Sequence, residues 1–105
     1  MTAEFKENNA LGWYAETDPD AVDDYPINWT DWLAANGYDV IAHSEWIVPL
    51  GVTRISDSYA GGDTTIWLGP CEVGEHRITN RVTTIGSEGI ARRMDQSFTL
   101  IVKEA

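Results

Sequence analysis

From Val40 to the C-terminus the chain alternates apolar and polar residues with a period of two, broken at glycine-bearing turns. Period two puts successive side chains on opposite sides of an extended backbone, so each such segment is a half-buried strand rather than a helix. "VIAHSEWIV" places Val40, Ala42, Ser44, Trp46 and Val48 on one face, and Ile41, His43, Glu45 and Ile47 on the other. "PLG" at Pro49–Gly51 ends that strand. "VTRISDSY" is a second, "AGGD" at Ala60–Asp63 a turn, and "TTIWL" at Thr64–Leu68 a third, rich in β-branched and aromatic residues. "HRITNRVTTI" and "RRMDQSFTLIV" are two longer strands joined by a loop containing Gly86 and Gly89. Strands of five to eleven residues separated by turns predict an antiparallel β-sandwich. No long segment reads as helix.

The last two strands can be registered as a hairpin. With Val82 opposite Met94, Ile78 faces Phe98 and His76 faces Leu100. One face is then apolar throughout, which is what pins register in a sheet. The same register sets Asn80 opposite Gln96 on the inward side, where two amides can satisfy each other. It sets Arg81 opposite Asp95 on the outward side, as a cross-strand ion pair. Arg77 and Arg93 share that outward face and have no partner within the hairpin.

Ahead of the strands the pattern changes. Residues 1–12 show neither period and read as an N-terminal arm, leaving 13–105 as the sandwich domain. Trp13–Asp24 is extended and turn-rich, with Pro19 disfavouring helix at Asp18. Trp29, Trp32 and Leu33 have the i, i+3, i+4 spacing of a single helical turn. Such a turn drops all three onto the open end of a sandwich as a plug, with Trp46 and Trp67 contributed to the interior by strands. Trp13 and Tyr14 lie in the irregular segment beside the arm. They read as anchors of an intermolecular contact, because these residue types are enriched at interfaces.

Charge narrows the function classes. The chain carries a formal net charge of −10, and residues 1–50 hold ten acidic groups against one basic group, Lys6. Phosphate binding needs a basic face, so nucleic acid is not the expected partner. The same balance disfavours an anionic membrane. No 18-residue apolar window and no apolar N-terminal run behind basic residues is present, so neither a membrane span nor a secretory signal is expected. Without such a signal, "NWT" at Asn28–Thr30 is a chance match to a glycosylation acceptor. The lone Cys71 reads as a small buried hydrophobe.

No catalytic constellation stands out. His43 and His76 have no cysteine, histidine or aspartate at metal-ligand spacing. "AGGD" lacks the lysine and helix of a phosphate loop. "DPDAVDD" offers Asp18, Asp20, Asp23 and Asp24 as hard oxygen ligands, but it lacks the glycine and closing glutamate of a twelve-residue calcium loop. A solvated acidic loop is the expectation, with no metal, no cofactor and no enzymatic activity.

The ordered series "DPDAVDDYPINWTDWL", "SEWIVPLGV", "TTIWL", "ITNRVTT" and "SFTLIVKE" resembles the phage fiber-tail adaptor proteins, over nearly all of the chain from Trp13 onward. The resemblance implies an immunoglobulin-like fold and a non-enzymatic virion part of a tailed phage, made in the host cytoplasm. It implies a place where the tail or neck meets the fibers, with a tail adaptor, nozzle or fiber protein as partner and several copies acting together. In a homo-oligomeric ring, the acidic residues Asp18, Asp20, Asp23 and Asp24 of one copy would approach Arg77 and Arg93 of the next, with Trp13 and Tyr14 as apolar anchors. The alternative is an immunoglobulin-like module that binds carbohydrate or another surface, with "WYAETD" as its platform, or a decoration protein of the capsid.

Overall fold

The computed structural model describes residues 5–8 and 12–104. In chain order the strands are Lys6–Asn8 (β1), Gly12–Thr17 (β2) and Asp23–Asn28 (β3), followed by the helical turn Thr30–Ala35 (α1). Then come Ile41–Ile47 (β4), Val52–Ala60 (β5), Asp63–Cys71 (β6), Gly74–Thr84 (β7) and Arg93–Val102 (β8). Two sheets pack face to face, one ordered β1-β2-β8-β7-β4 and the other β3-β6-β5. The described ladders are antiparallel except β2–β8, which is parallel.

The β7–β8 hairpin has the register that the apolar pattern predicts, with Ile78 opposite Phe98, Val82 opposite Met94 and Arg81 opposite Asp95. Ile78, Val82, Phe98 and Leu100 are completely or almost completely buried, and they meet Ile27, Ile66 and Leu68 of the second sheet. At the tip, Gly86 has φ +87°, and a Cβ there would lie 2.8 Å from the Ala91 nitrogen. Only glycine permits both that backbone and that approach.

Three expectations change. A bulge between Ile41 and His43 shifts β4 by one residue, so Ile41 is buried while Val40 and Ala42 are exposed. Beyond the bulge Ser44 and Trp46 point inward, as predicted. Trp67 is not a core residue: Thr64, Ile66 and Leu68 take the inward positions of β6, so alternation turns Trp67 outward, where it is 39% exposed. Asn80 does stand opposite Gln96, yet its amide is engaged elsewhere. Its Oδ1 accepts from Trp29 Nε1 at 2.9 Å and from the Thr64 hydroxyl at 2.7 Å. Its Nδ2 donates to Ser44 Oγ and to the Glu45 carbonyl, both at 3.0 Å. Indole nitrogen only donates, which fixes which way the amide points.

The plug forms as the spacing predicts. Trp29 and Leu33 are buried, Trp32 packs against the core at partial burial, and the two indoles meet edge to face at 5.3 Å. Gly62 in the β5–β6 turn accepts from the Trp29 N–H at 2.7 Å. A Cβ at Gly62 would lie 2.6 Å from Thr30 Oγ1, so the turn seats directly on the start of α1.

The described part of the segment read as an arm is paired structure. β1 pairs with β2, and Phe5 lies edge-on to the core ring Phe98 at 4.8 Å. The rest of that segment, residues 1–4 and 9–11, lies outside the described residues.

Candidate interface surfaces

The outward face of the five-stranded sheet is read in cross-strand rows. One row runs Lys6, Tyr14, Thr99, Arg77. Another runs Asp95, Arg81, Glu45, and beyond it lie Arg93, Thr83 and His43. Tyr14 therefore shares a row with Arg77, while Trp13, one residue away, points to the opposite side. There Trp13 stacks on Phe5 with ring centroids 6.2 Å apart, and it is 37% exposed. "WYAETD" is thus split between two faces and does not make a single aromatic platform.

The cations on this face differ in how they are held. Arg81 grips Asp95 with two bonds of 2.8 and 3.0 Å and has Glu45 at 3.8 Å. The bond to Asp95 raises the guanidinium pKa further, and the same bond lowers that of the Asp95 carboxyl. Glu16 accepts from Lys103 at 2.8 Å and from Lys6 at 3.4 Å, and these two partners, Lys103 foremost, lower its carboxyl pKa. Arg77 and Arg93 form no ion pair among the described residues.

The acidic segment occupies another part of the molecule. Asp18 opens a tight turn, its Oδ1 accepting from the Asp20 N–H at 2.9 Å. The Pro19 carbonyl accepts from the Cys71 N–H at 2.9 Å, which ties this turn to the end of β6. Asp23 and Asp24 lie on β3, opposite Leu68 and Trp67. Among the described residues, no three His, Cys, Asp or Glu side chains converge as a metal site. Cys71 is buried, and that burial raises its thiol pKa, which keeps it in the unreactive protonated form. No helix among the described residues is long and apolar enough to cross a membrane.

Two features at the α1 end escaped sequence reasoning. Leu33, Ala34, Tyr38 and Val40 face the Gly61–Gly62 turn across a hollow of about 260 Å³. Beside it, Asp39 is only 4% exposed, and its Oδ1 accepts from the N–H groups of Val40, Gly86 and Ser87 at 2.9 to 3.1 Å. Burial pushes this carboxyl up, but the Thr84 hydroxyl and the N–H groups of Ser87, Val40 and Gly86 outweigh it and leave the pKa lowered. The "NGYD" turn signal at Asn36–Asp39 was available in the sequence, but its partners more than 40 residues away were not.

No curated protein matches the chain. Among solved structures it is similar to the crystal structure of the cysteine protease inhibitor EhICP2 from Entamoeba histolytica. That match has 11% identity, covers 86% of this chain and 84% of the other, and has a TM-score of 0.54. At that identity the likeness concerns the fold alone. The family described as podophage GP4 fiber-tail adaptor protein gp77 matches residues 17–101, a span that includes the acidic turn, the plug and both long strands. The chain belongs to this family of phage structural adaptors.

Proposed function

We propose that several copies of this chain form a ring where a tailed phage's tail meets its fibers, each copy gripping the next through two different surfaces. The chain acts there as a mechanical part of the virion, without catalysis. Its further partners are tail, nozzle or fiber proteins. A closed ring needs heterologous contacts, in which unlike patches of the protomer meet. The observation that carries the reading is the separation of the two charged patches. Arg77 and Arg93 stand without ion pairs on the outward face of the five-stranded sheet, whereas Asp18, Asp20, Asp23 and Asp24 lie in the β2–β3 turn and on β3 of the other sheet. Tyr14 shares the arginine row and Trp13 lies at the end of the same strand, so both can anchor a neighbour.

A reconstruction of the assembled particle tests this. The expected map shows the Asp18–Asp24 turn of one copy against the Arg77 and Arg93 face of the next. Copies that do not touch, or that meet through identical patches, would overturn the ring.

A further inference from the structure

The hollow at the α1 end combines an apolar interior with an acidic surround. At about 260 Å³ it falls below the roughly 300–1,000 Å³ of small-molecule sites and suits a single side chain. Leu33, Ala34 and Val40 supply apolar wall. Tyr38 forms the lip at 82% exposure, and it is the only non-glycine residue at positive φ among the described residues, at +54°. Bulky side chains seldom occupy that conformation, so presenting this ring costs the fold something.

The charges beside the hollow that form no ion pair have one sign. Asp31 and Asp63 directly follow the lining residues Thr30 and Gly62, are exposed, and form no ion pair among the described residues. Asp39 adds a carboxylate in the wall, held by backbone N–H groups. Arg92, on the neighbouring loop, is bound to Glu88 at 2.6 Å.

We propose that this hollow docks an extended segment of the tail or fiber partner, presenting one aliphatic side chain flanked by lysine or arginine. Charge complementarity favours that occupant over a second copy of this chain. Its own aliphatic–basic stretch, Ile90–Arg93, has Arg92 already engaged by Glu88. The identity of the partner rests on the adaptor reading, but the chemistry of the hollow does not.

The test uses the purified full chain, labelled with nitrogen-15, and three capped synthetic pentapeptides with centres Arg-Leu-Arg, Glu-Leu-Glu and Arg-Ser-Arg. The Arg-Leu-Arg peptide is expected to shift the amides of Leu33, Ala34, Tyr38 and Gly62 saturably, and the other two to bind much more weakly. Asp31→Asn with Asp63→Asn should weaken it by about three- to tenfold, with a similar loss in high salt. Ala34→Trp should fill the hollow and abolish binding while leaving the β7–β8 amides in place. Should Ala34→Trp not fold, the paired aspartate variant and the peptide comparison decide the matter alone. Equal binding of all three peptides, shifts confined to other surfaces, or a hollow occupied by a second copy in a concentration series without peptide would each overturn the proposal. The peptide outcomes leave the ring untouched, which is judged on the assembled particle, whereas a second copy in the hollow would also count against its arginine-face contact.

Discussion

Replacing Asn80, itself fully buried, with leucine would leave the Trp29 indole N–H and the part-buried Glu45 carbonyl without their partner. Each stranded polar group costs about 1–3 kcal/mol, so a loss of roughly 3 kcal/mol or more is expected in denaturant unfolding. Gln96→Leu should cost far less and show little coupling to Asn80 in a double-mutant cycle, because the Asn80 amide is already satisfied by other groups. Strong coupling would instead restore an amide pair across the hairpin. Asp39 contributes to behaviour in acid. Its pKa in the fold is depressed below the ordinary 3.8. Its stabilisation is therefore complete above the unfolded value and is lost as pH falls through the folded one. Glu16 and Asp95, lowered by Lys103 and Arg81, act in the same sense. The melting temperature should hold near neutrality and fall below about pH 4. Asp39→Ala should lower it at neutral pH and flatten the acid limb, whereas an unchanged limb would remove Asp39 from the account.

At the scale of elements, the question is how the sandwich manages its open strand edges. β4 ends the five-stranded sheet, and an unpaired edge invites another strand. Here β5 answers from across the sandwich: the Tyr59 hydroxyl donates to the Ala42 carbonyl at 2.7 Å, and the Arg54 guanidinium donates to the Trp46 carbonyl. The bulge between Ile41 and His43 further distorts the edge. Tyr59→Phe keeps the ring and removes the donor, so about 0.5–1.5 kcal/mol of stability should be lost. Combined with Arg54→Ala it should promote self-association through the freed edge, read as a mass increase by light scattering at high concentration. A double variant that stays monomeric would mean the bulge alone protects β4.

Buried aromatics carry most contact energy while rim charges tune encounter and salt dependence. Trp13→Ala should accordingly reduce incorporation into particles more than Arg93→Ala does. Trp13 also stacks on Phe5, so the same change should lower the melting temperature of the free chain modestly, an aromatic pair contributing about 0.5–1.5 kcal/mol. Arg77→Glu with Arg93→Glu should reduce incorporation most at low salt, where screening is weakest, and leave the melting temperature nearly unchanged. Quantitative mass spectrometry of purified particles reads both effects. Normal incorporation of the double arginine variant at low salt would remove the arginine face from the ring.

Whatever depends on neighbours along the chain could be read from the residues alone. The alternation of β7 and β8 determined their faces, and the demand for one apolar face determined their register. The Trp29, Trp32 and Leu33 spacing determined the plug, and the ordered segments from Asp18 onward identified the family. Tertiary structure decided what depends on groups distant in sequence. The bulge that turns Ile41 inward is a local shift in the ladder with β7, invisible to a strict period of two. Trp67 faces out because Ile66 and Leu68 fill the core facing it, although a tryptophan on a strand suggests the opposite. The Asn80 amide found its four partners on β4, on β6 and at the start of α1, and Phe5 found Phe98, across separations no periodicity encodes. Periodicity reports which side of an element is buried. Which atoms meet there is set by packing two sheets together, where each buried polar group must find a partner among whatever the other layer presents.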